Sequence, residues 1–144
     1  MNDTMEIWSL LDDIISKNGK QIKDSLNKMD LTITDYKVMR MVRKNDEPMK
    51  NIASELALAN GWVTDIVDRL EKKGYLIRIH DEGDRRIVKV SLTPSGRDVS
   101  NKIKEFLKNT IENSLKNLNN DEIDSFKKIL SKINNKISNE GIEK

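Results

Sequence analysis

The apolar positions of this chain recur at two periods, and the switch between them divides it into segments. Ile7, Leu11, Ile14, Ile22, Leu26 and Met29 follow one another at steps of three, four or eight. That spacing makes one stripe on a long helix over residues 4–28. A second helix opens at "LTITDY". Thr32 can cap it, Asp35 lies three residues on as the capping-box partner, and Leu31 can staple onto Tyr36. It ends before "NDEP". A short helix follows over residues 51–58, with Ile52, Ala53 and Leu56 inward. After a turn at "ALAN", a further helix covers residues 60–73 and buries Ile66, Val67 and Leu70. Asn60 is expected to cap it, because Ala59 carries no side-chain acceptor. Gly74 occupies the place of a helix-ending glycine.

The period then falls to two. In "YLIRIHD", Leu76, Arg78 and His80 alternate with Tyr75, Ile77 and Ile79; in "RIVKVSLT", Ile87, Lys89 and Ser91 alternate with Val88, Val90 and Leu92. "EGDR" joins the two strands as a hairpin with Gly83 at the turn. Thr93 and Pro94 start another helix, threonine as cap and proline at the first helical position. Its stripe is Val99, Ile103, Phe106, Leu107, Ile111, Leu115 and Leu118. "LNNDEI" interrupts it, with Asn119 as cap, Glu122 three residues later and Leu118 stapling Ile123. The last helix carries Ile123, Phe126, Leu130, Ile133 and Ile137, and "SNEGIEK" is read as frayed.

The order is therefore helix, helix, helix-turn-helix, β-hairpin, helix, helix. This predicts a mainly α fold, one domain over residues 1–144. Residues 31–94 form a winged helix-turn-helix lobe with a small β-hairpin wing. Residues 4–30 and 95–138 form long N- and C-terminal helices. The lobe is too small to cover every apolar stripe on those helices, so a second copy of the chain is expected to bury them as a homodimer. A monomeric helical bundle is the other arrangement.

Composition narrows the function classes. Of 144 residues, 36% are hydrophobic and 35% charged, which suits partly solvated helices better than a compact sandwich. Six glycines and two prolines leave little material for a turn-rich β fold. No run of about 18 apolar residues exists to span a membrane. "MNDTMEIW" holds acids where a secretion signal needs cations, so a cytoplasmic location is expected. The absence of cysteine removes disulfides and thiolate chemistry. With His80 as the lone histidine, a His-rich metal site is out of reach, and no metal or cofactor is expected. There is also no phosphate-cradling glycine loop and no carboxylate pair in an evident cleft, so the chain does not read as an enzyme.

Net charge is only +2, and any cationic surface must be local. Residues 36–50 hold Lys37, Arg40, Arg43, Lys44 and Lys50 against Asp46 and Glu47. The densest cluster is "DEGDRR", at the hairpin tip. Arginine there suits the minor groove of duplex DNA, whose negative potential attracts it, while the second helix of the helix-turn-helix fits the major groove. Neighbouring acids would hold the guanidinium extended.

The segment "IASELALANGWVTDIVDRLEKKGYLIRIHDEGDRRIVKVSLTPSG" resembles the DNA-binding lobe of the multiple antibiotic resistance regulator (MarR) family. The wing pattern of Asp, any residue, Arg, five residues and Leu-Thr reads as Asp84, Arg86 and Leu92-Thr93. "VDRLEKKGYLIR" is similar to the family's recognition-helix end, and "LTITDYKVMRMV" to its Leu-Thr-x-x-Gln-Tyr-x-Val-Leu segment, with Asp35 in place of the frequent glutamine. The resemblance covers nearly the whole chain. It implies a dimeric transcription regulator of double-stranded DNA, many of whose kind lose affinity when a small, often aromatic or phenolic, effector binds; such a dimer is expected to bind a pseudo-palindromic site.

On that resemblance, Arg86 is the wing arginine, Arg85 reaches phosphate or the same groove, and Asp84 orients a guanidinium. Lys50, Asn60 and Thr64 are candidate backbone contacts, and Arg69 pairs with an acid inside the lobe. The recognition helix departs from the family pattern. Trp62 is bulky and suits a thymine methyl or a sugar. Asp65 stands where arginine is frequent; it repels phosphates but can accept from cytosine. Trp8, Leu11, Ile15, Tyr36 and Arg40 could line an effector cleft where the first two helices meet, although apolar residues at that spacing also serve as core. A winged-helix module that binds protein without sequence-specific DNA recognition is the alternative, motivated by Asp65 and the near-neutral charge.

Overall fold

The computed structural model describes residues 2–142. Its elements are α1 (Asn2–Lys28), α2 (Ile33–Lys44), β1 (Glu47–Pro48), α3 (Met49–Leu56), α4 (Asn60–Lys72), β2 (Leu76–His80), β3 (Val88–Leu92), α5 (Pro94–Leu115) and α6 (Asn120–Ile142). The fold is the expected one, mainly helical with a small antiparallel wing. Residues through Lys108 form one compact unit, and residues from Asn109 onward form another. Among the described residues no helix is long and apolar enough to cross a membrane.

Helix boundaries follow local chemistry. The Thr32 backbone N–H donates to Asp35 Oδ2 at 2.8 Å, and the Asp35 N–H donates to Thr32 Oγ1 at 3.1 Å. This reciprocal box satisfies two otherwise orphaned donors. The same device opens α6, where the Asn119 N–H donates to Glu122 Oε1 and the Glu122 N–H to Asn119 Oδ1. At the head of α5, Thr93 Oγ1 accepts from the Gly96 N–H at 2.9 Å and donates to the Gly74 carbonyl. Gly74, with φ +79°, terminates α4, and the Tyr75 N–H turns back to the Leu70 carbonyl at 2.9 Å.

Several boundaries differ from expectation. Ala59 rather than Asn60 is the N-cap of α4, and it makes no side-chain cap bond; Asn60 is already helical. α3 begins two residues early and ends when Ala57 turns left-handed at φ 53°. β2 ends at His80 and β3 begins at Val88, so the wing loop covers residues 81–87 rather than four residues. The tail "SNEGIEK" is helical through Ile142, with its last two residues outside those described.

The sheet order is β1-β3-β2, antiparallel throughout. β1 has no alternating pattern to announce it, being two residues long. Its Pro48 lacks an N–H and suits an edge strand. The core of the first unit gathers Val38, Met39 and Val42 of α2, Ile52 of α3, Val63, Ile66, Val67 and Leu70 of α4, Leu76 of β2, Val90 of β3 and Ile103 of α5. α1 contributes Leu26, while Ile7, Trp8, Leu10, Leu11, Ile14 and Ile15 are exposed. In α6, Phe126, Ile129, Leu130, Ile133 and Ile137 are exposed as well.

Candidate nucleic-acid interface

Three ion-pair systems fix α4 in the lobe. Arg69 donates from Nη1 and Nη2 to the two carboxylate oxygens of Asp35, at 2.6 and 2.7 Å, and Asp35 is fully buried. This two-pronged bond holds the Arg69 guanidinium above its ordinary pKa, through the hydrogen bond first. Lys73 donates to both the carbonyl and the carboxylate of Asp30 at 2.6 Å, and the bond draws Asp30 below the usual carboxylate range. Arg78 of β2 bridges Asp68 and Glu71. α4 is thereby tied to α2, to the α1–α2 turn and to the wing strand.

The wing tip is built by two aspartates. Asp81 Oδ2 accepts from the backbone N–H groups of Gly83 (3.0 Å) and Asp84 (3.1 Å), while Oδ1 pairs with Lys89 at 2.7 Å. Lys89 is the main reason the Asp81 carboxyl sits below its usual range. Asp84 then grips Arg86: Oδ1 accepts from the Arg86 N–H and Nε, and Oδ2 from Nη2, each at 3.0 Å. Arg86 likewise lowers the Asp84 pKa and is itself raised. The Arg86 side chain remains 91% exposed, so the pairing orients it without covering it. The Arg85 side chain is exposed too, and its carbonyl lies 2.9 Å from His80 Nδ1.

Between wing and recognition helix lies a cleft of about 370 Å³, lined by Pro48, Met49, Lys50, Asn60, Val63, Thr64, Arg86, Ile87 and Val88. It brings Lys50, Asn60, Thr64 and Arg86 together from α3, α4 and the wing. Thr64 Oγ1 donates to the Asn60 carbonyl at 3.0 Å, and Thr64 stays exposed with its oxygen free to accept. Trp62 is 54% exposed, and Asp65 is exposed on the same helix.

The five residues considered for an effector are less concentrated. Trp8, Leu11 and Ile15 are exposed along α1. The Arg40 guanidinium carbon sits 5.9 Å from the centre of the Tyr36 ring. Arg40 also lines a cavity of about 710 Å³ with Met41, Lys44, Glu47, Asn51 and Glu55, and none of the other four lines it. Among the described residues no cluster of three or more His, Cys, Asp or Glu could hold a metal ion.

Reading the sequence alone missed the supports of the site. Asp81 and Lys89 shape the wing, Arg78 bridges it to α4, and Pro48 and Met49 wall the cleft. The spacing of Asp81 to Gly83 is that of a side chain capping a turn two residues on, a signal that was available. The pairings of Lys89 and Arg78 depend on strand register.

A helix-turn-helix followed by the β2–β3 hairpin, whose sheet β1 completes, defines a winged helix-turn-helix protein. The MarR family model matches residues 31–88, the helix-turn-helix and the hairpin up to the start of β3, so this lobe is similar to that of the MarR family. It is 37% identical over 84 residues to the HTH-type transcriptional regulator SarZ of Staphylococcus epidermidis, covering 57% of this chain and 56% of that protein. The match thus spans a little over half the length of that relative. It is 28% identical over 125 residues to the HTH-type transcriptional regulator MhqR of Bacillus subtilis, covering 83% and 86% of the two chains. The crystal structure of the transcriptional regulator BldR from Sulfolobus solfataricus superposes with a TM-score of 0.70 at 29% identity, covering 91% of this chain and 96% of that one. These relatives are named as regulators of transcription and not as enzymes.

Proposed function

We propose that this chain is a sequence-specific, DNA-binding transcription regulator of the cytoplasm that acts as a homodimer on a pseudo-palindromic operator. One observation carries the reading: Arg86 is held by Asp84 through its Nε and Nη2 yet stays 91% exposed, and it shares a cleft with Lys50, Asn60 and Thr64. A guanidinium pre-aimed in this way loses little freedom on entering a minor groove. The cleft between wing and α4 is then the channel for the phosphate backbone. Lys50, Asn60 and Thr64 lie on its walls, and phosphate contacts need only cations, hydroxyls or amides. Trp62 and Asp65 face the major groove. Arg85 adds a second cation at the wing tip.

The homodimer rests on α1. Trp8 is 63% exposed and Ile7, Leu11, Ile14 and Ile15 are exposed with it, a band wider than a solvated helix face carries. A second copy, related by a two-fold axis, would cover it and set two recognition helices at a half-site spacing. A small aromatic or phenolic effector, bound near Trp8, Leu11, Ile15, Tyr36 and Arg40, would act by linkage. It draws the population from the DNA-competent spacing by no more than its differential affinity for the two forms.

The test is a gel-shift titration on random and selected duplexes at several salt concentrations. A regulator prefers a pseudo-palindrome with half-sites about one turn (10–10.5 bp) or a multiple apart, and its log affinity falls linearly with log salt. Binding indifferent to sequence and salt would replace this reading with a winged-helix module for a protein partner, which the exposed acid Asp65 also suits.

A further inference from the structure

The exposed face of α4 carries an unusual charge pattern. Its buried side is Val63, Ile66, Val67 and Leu70. At 3.6 residues per turn the opposite crest therefore holds Gly61, Asp65, Asp68 and Lys72. Two of the nearby charges are already engaged inside the protein: Arg69 by Asp35, and Asp68 by Arg78. Asp65 is exposed and makes no ion pair among the described residues. It is the one ionised side chain on residues 60–67, the turns that a helix-turn-helix inserts most deeply into a groove.

Gly61, one turn before it, adds a second observation. A Cβ there would meet nothing within 4 Å, so packing does not demand a glycine. Its effect is to keep the crest low beside Asp65, so that a groove floor can approach the carboxylate closely.

Base chemistry then selects the partner. An ionised carboxylate is an acceptor only. The major-groove edge of guanine presents N7 and O6, both acceptors, and that of thymine presents the O4 acceptor and a methyl group. Both repel it. Adenine offers the N6 amino group but sets the N7 lone pair beside it. Cytosine offers the N4 amino group with no acceptor of its own on that edge. We propose that Asp65 is a specificity-determining residue that accepts a hydrogen bond from N4 of one cytosine in each half-site. The proposal rests on the DNA-binding reading above. Where another base replaces that cytosine, the carboxylate meets an acceptor on the base edge, so it rejects wrong sequences as well as marking the right one.

Selection of bound fragments from random duplex DNA, with the full chain and with Asp65→Ala and Asp65→Asn, tests this. The unaltered protein should enrich one symmetric position in cytosine. Replacing that cytosine by thymine or guanine should weaken its binding on the order of 10- to 100-fold. For Asp65→Ala the preference at that position alone should vanish. For Asp65→Asn it should move toward adenine, whose N6 and N7 an amide contacts together. Asp65 is exposed, so all three proteins should melt together. A selected motif that is the same in all three overturns the Asp65 assignment and leaves the DNA-binding reading standing. Failure of the unaltered protein to select any motif overturns both.

Discussion

Asp35 and Arg69, 34 positions apart in the chain, meet through two hydrogen bonds of 2.6 and 2.7 Å, and the same Asp35 carboxylate closes the capping box of α2. One buried acid thus caps the start of α2 and holds α4 against it. The two partners are unequally placed, since Asp35 is wholly buried while the Arg69 side chain is 43% exposed.

Removing either partner should therefore have different consequences. Asp35→Ala releases a guanidinium that water can solvate, and should lower stability by about 2.5–4 kcal/mol. Roughly 1 of that is the cap, and about 1.5–3 the charged hydrogen bonds. Arg69→Leu leaves a carboxylate buried with no counter-charge, for which the loss is about 3–5 kcal/mol. Urea unfolding of both variants at neutral pH checks the order. Equal losses, or a milder effect from Arg69→Leu, would contradict the burial asymmetry.

Arg86→Ala should weaken operator binding by about 1–3 kcal/mol and make the salt dependence shallower. Asp84→Ala keeps the cation but frees it, and should weaken binding less than Arg86→Ala. Anisotropy titrations at two salt concentrations separate the two. If Asp84→Ala tightens binding, the aspartate is merely a repulsive neighbour of the backbone.

The wing should be insensitive to pH down to the ordinary carboxylate range. Asp81 and Asp84 are acids whose folded pKa values are lowered, by Lys89 and Arg86 respectively. Their stabilising contribution is complete above the unfolded value of about 3.9 and is lost as pH falls through the lower folded values. Carboxyl carbon titrations by NMR read this directly. Lys89→Met should return Asp81, and Arg86→Ala should return Asp84, toward the ordinary value. A carboxyl that titrates there already in the unaltered protein is not paired in solution.

Gly96 lies so close to the α4–β2 junction that a Cβ would fall 2.1 Å from the Tyr75 carbonyl oxygen and 2.9 Å from Leu92 Cδ1. Because the nearer atom is backbone, Gly96→Ala must displace the start of α5 or the junction itself. We expect a loss of about 1–3 kcal/mol by thermal unfolding. An unchanged melting temperature would show that the two segments are not in register as described.

If α1 is a dimer surface, Ile14→Glu should shift the sedimentation profile toward monomer, because it sets a charge in the apolar band. Lys17→Glu, a charge reversal on the same helix, is the control. A monomer for the unaltered chain at micromolar concentration removes the proposed homodimer.

Local signals made most of the elements legible. The box of Thr32 and Asp35, the glycine at 74, the threonine-proline start at 93–94 and the box of Asn119 and Glu122 are interactions between residues two to five apart. A one-dimensional reading contains all of them. The same holds for Asp84 with Arg86, whose two-residue spacing let the wing arginine be read as held by its neighbour. Errors arose where a boundary had no side-chain device to mark it. Ala59 caps α4 with backbone alone, so the reading moved the cap to the next polar residue.

The sequence by itself determined the helical periods, the switch to alternation, the capped boundaries and the arginines at the wing tip, because each depends on neighbours along the chain. Tertiary structure alone decided that β1 exists, that the acid partner of Arg69 is Asp35, that Lys89 and Arg78 brace the wing, and that Lys50, Asn60, Thr64 and Arg86 surround one cleft. Each of those joins segments far apart in sequence. Which distant charges meet is settled by how the apolar faces of Val38, Ile66, Leu76 and Val90 pack together, and periodicity identifies such faces without saying how they are registered against one another.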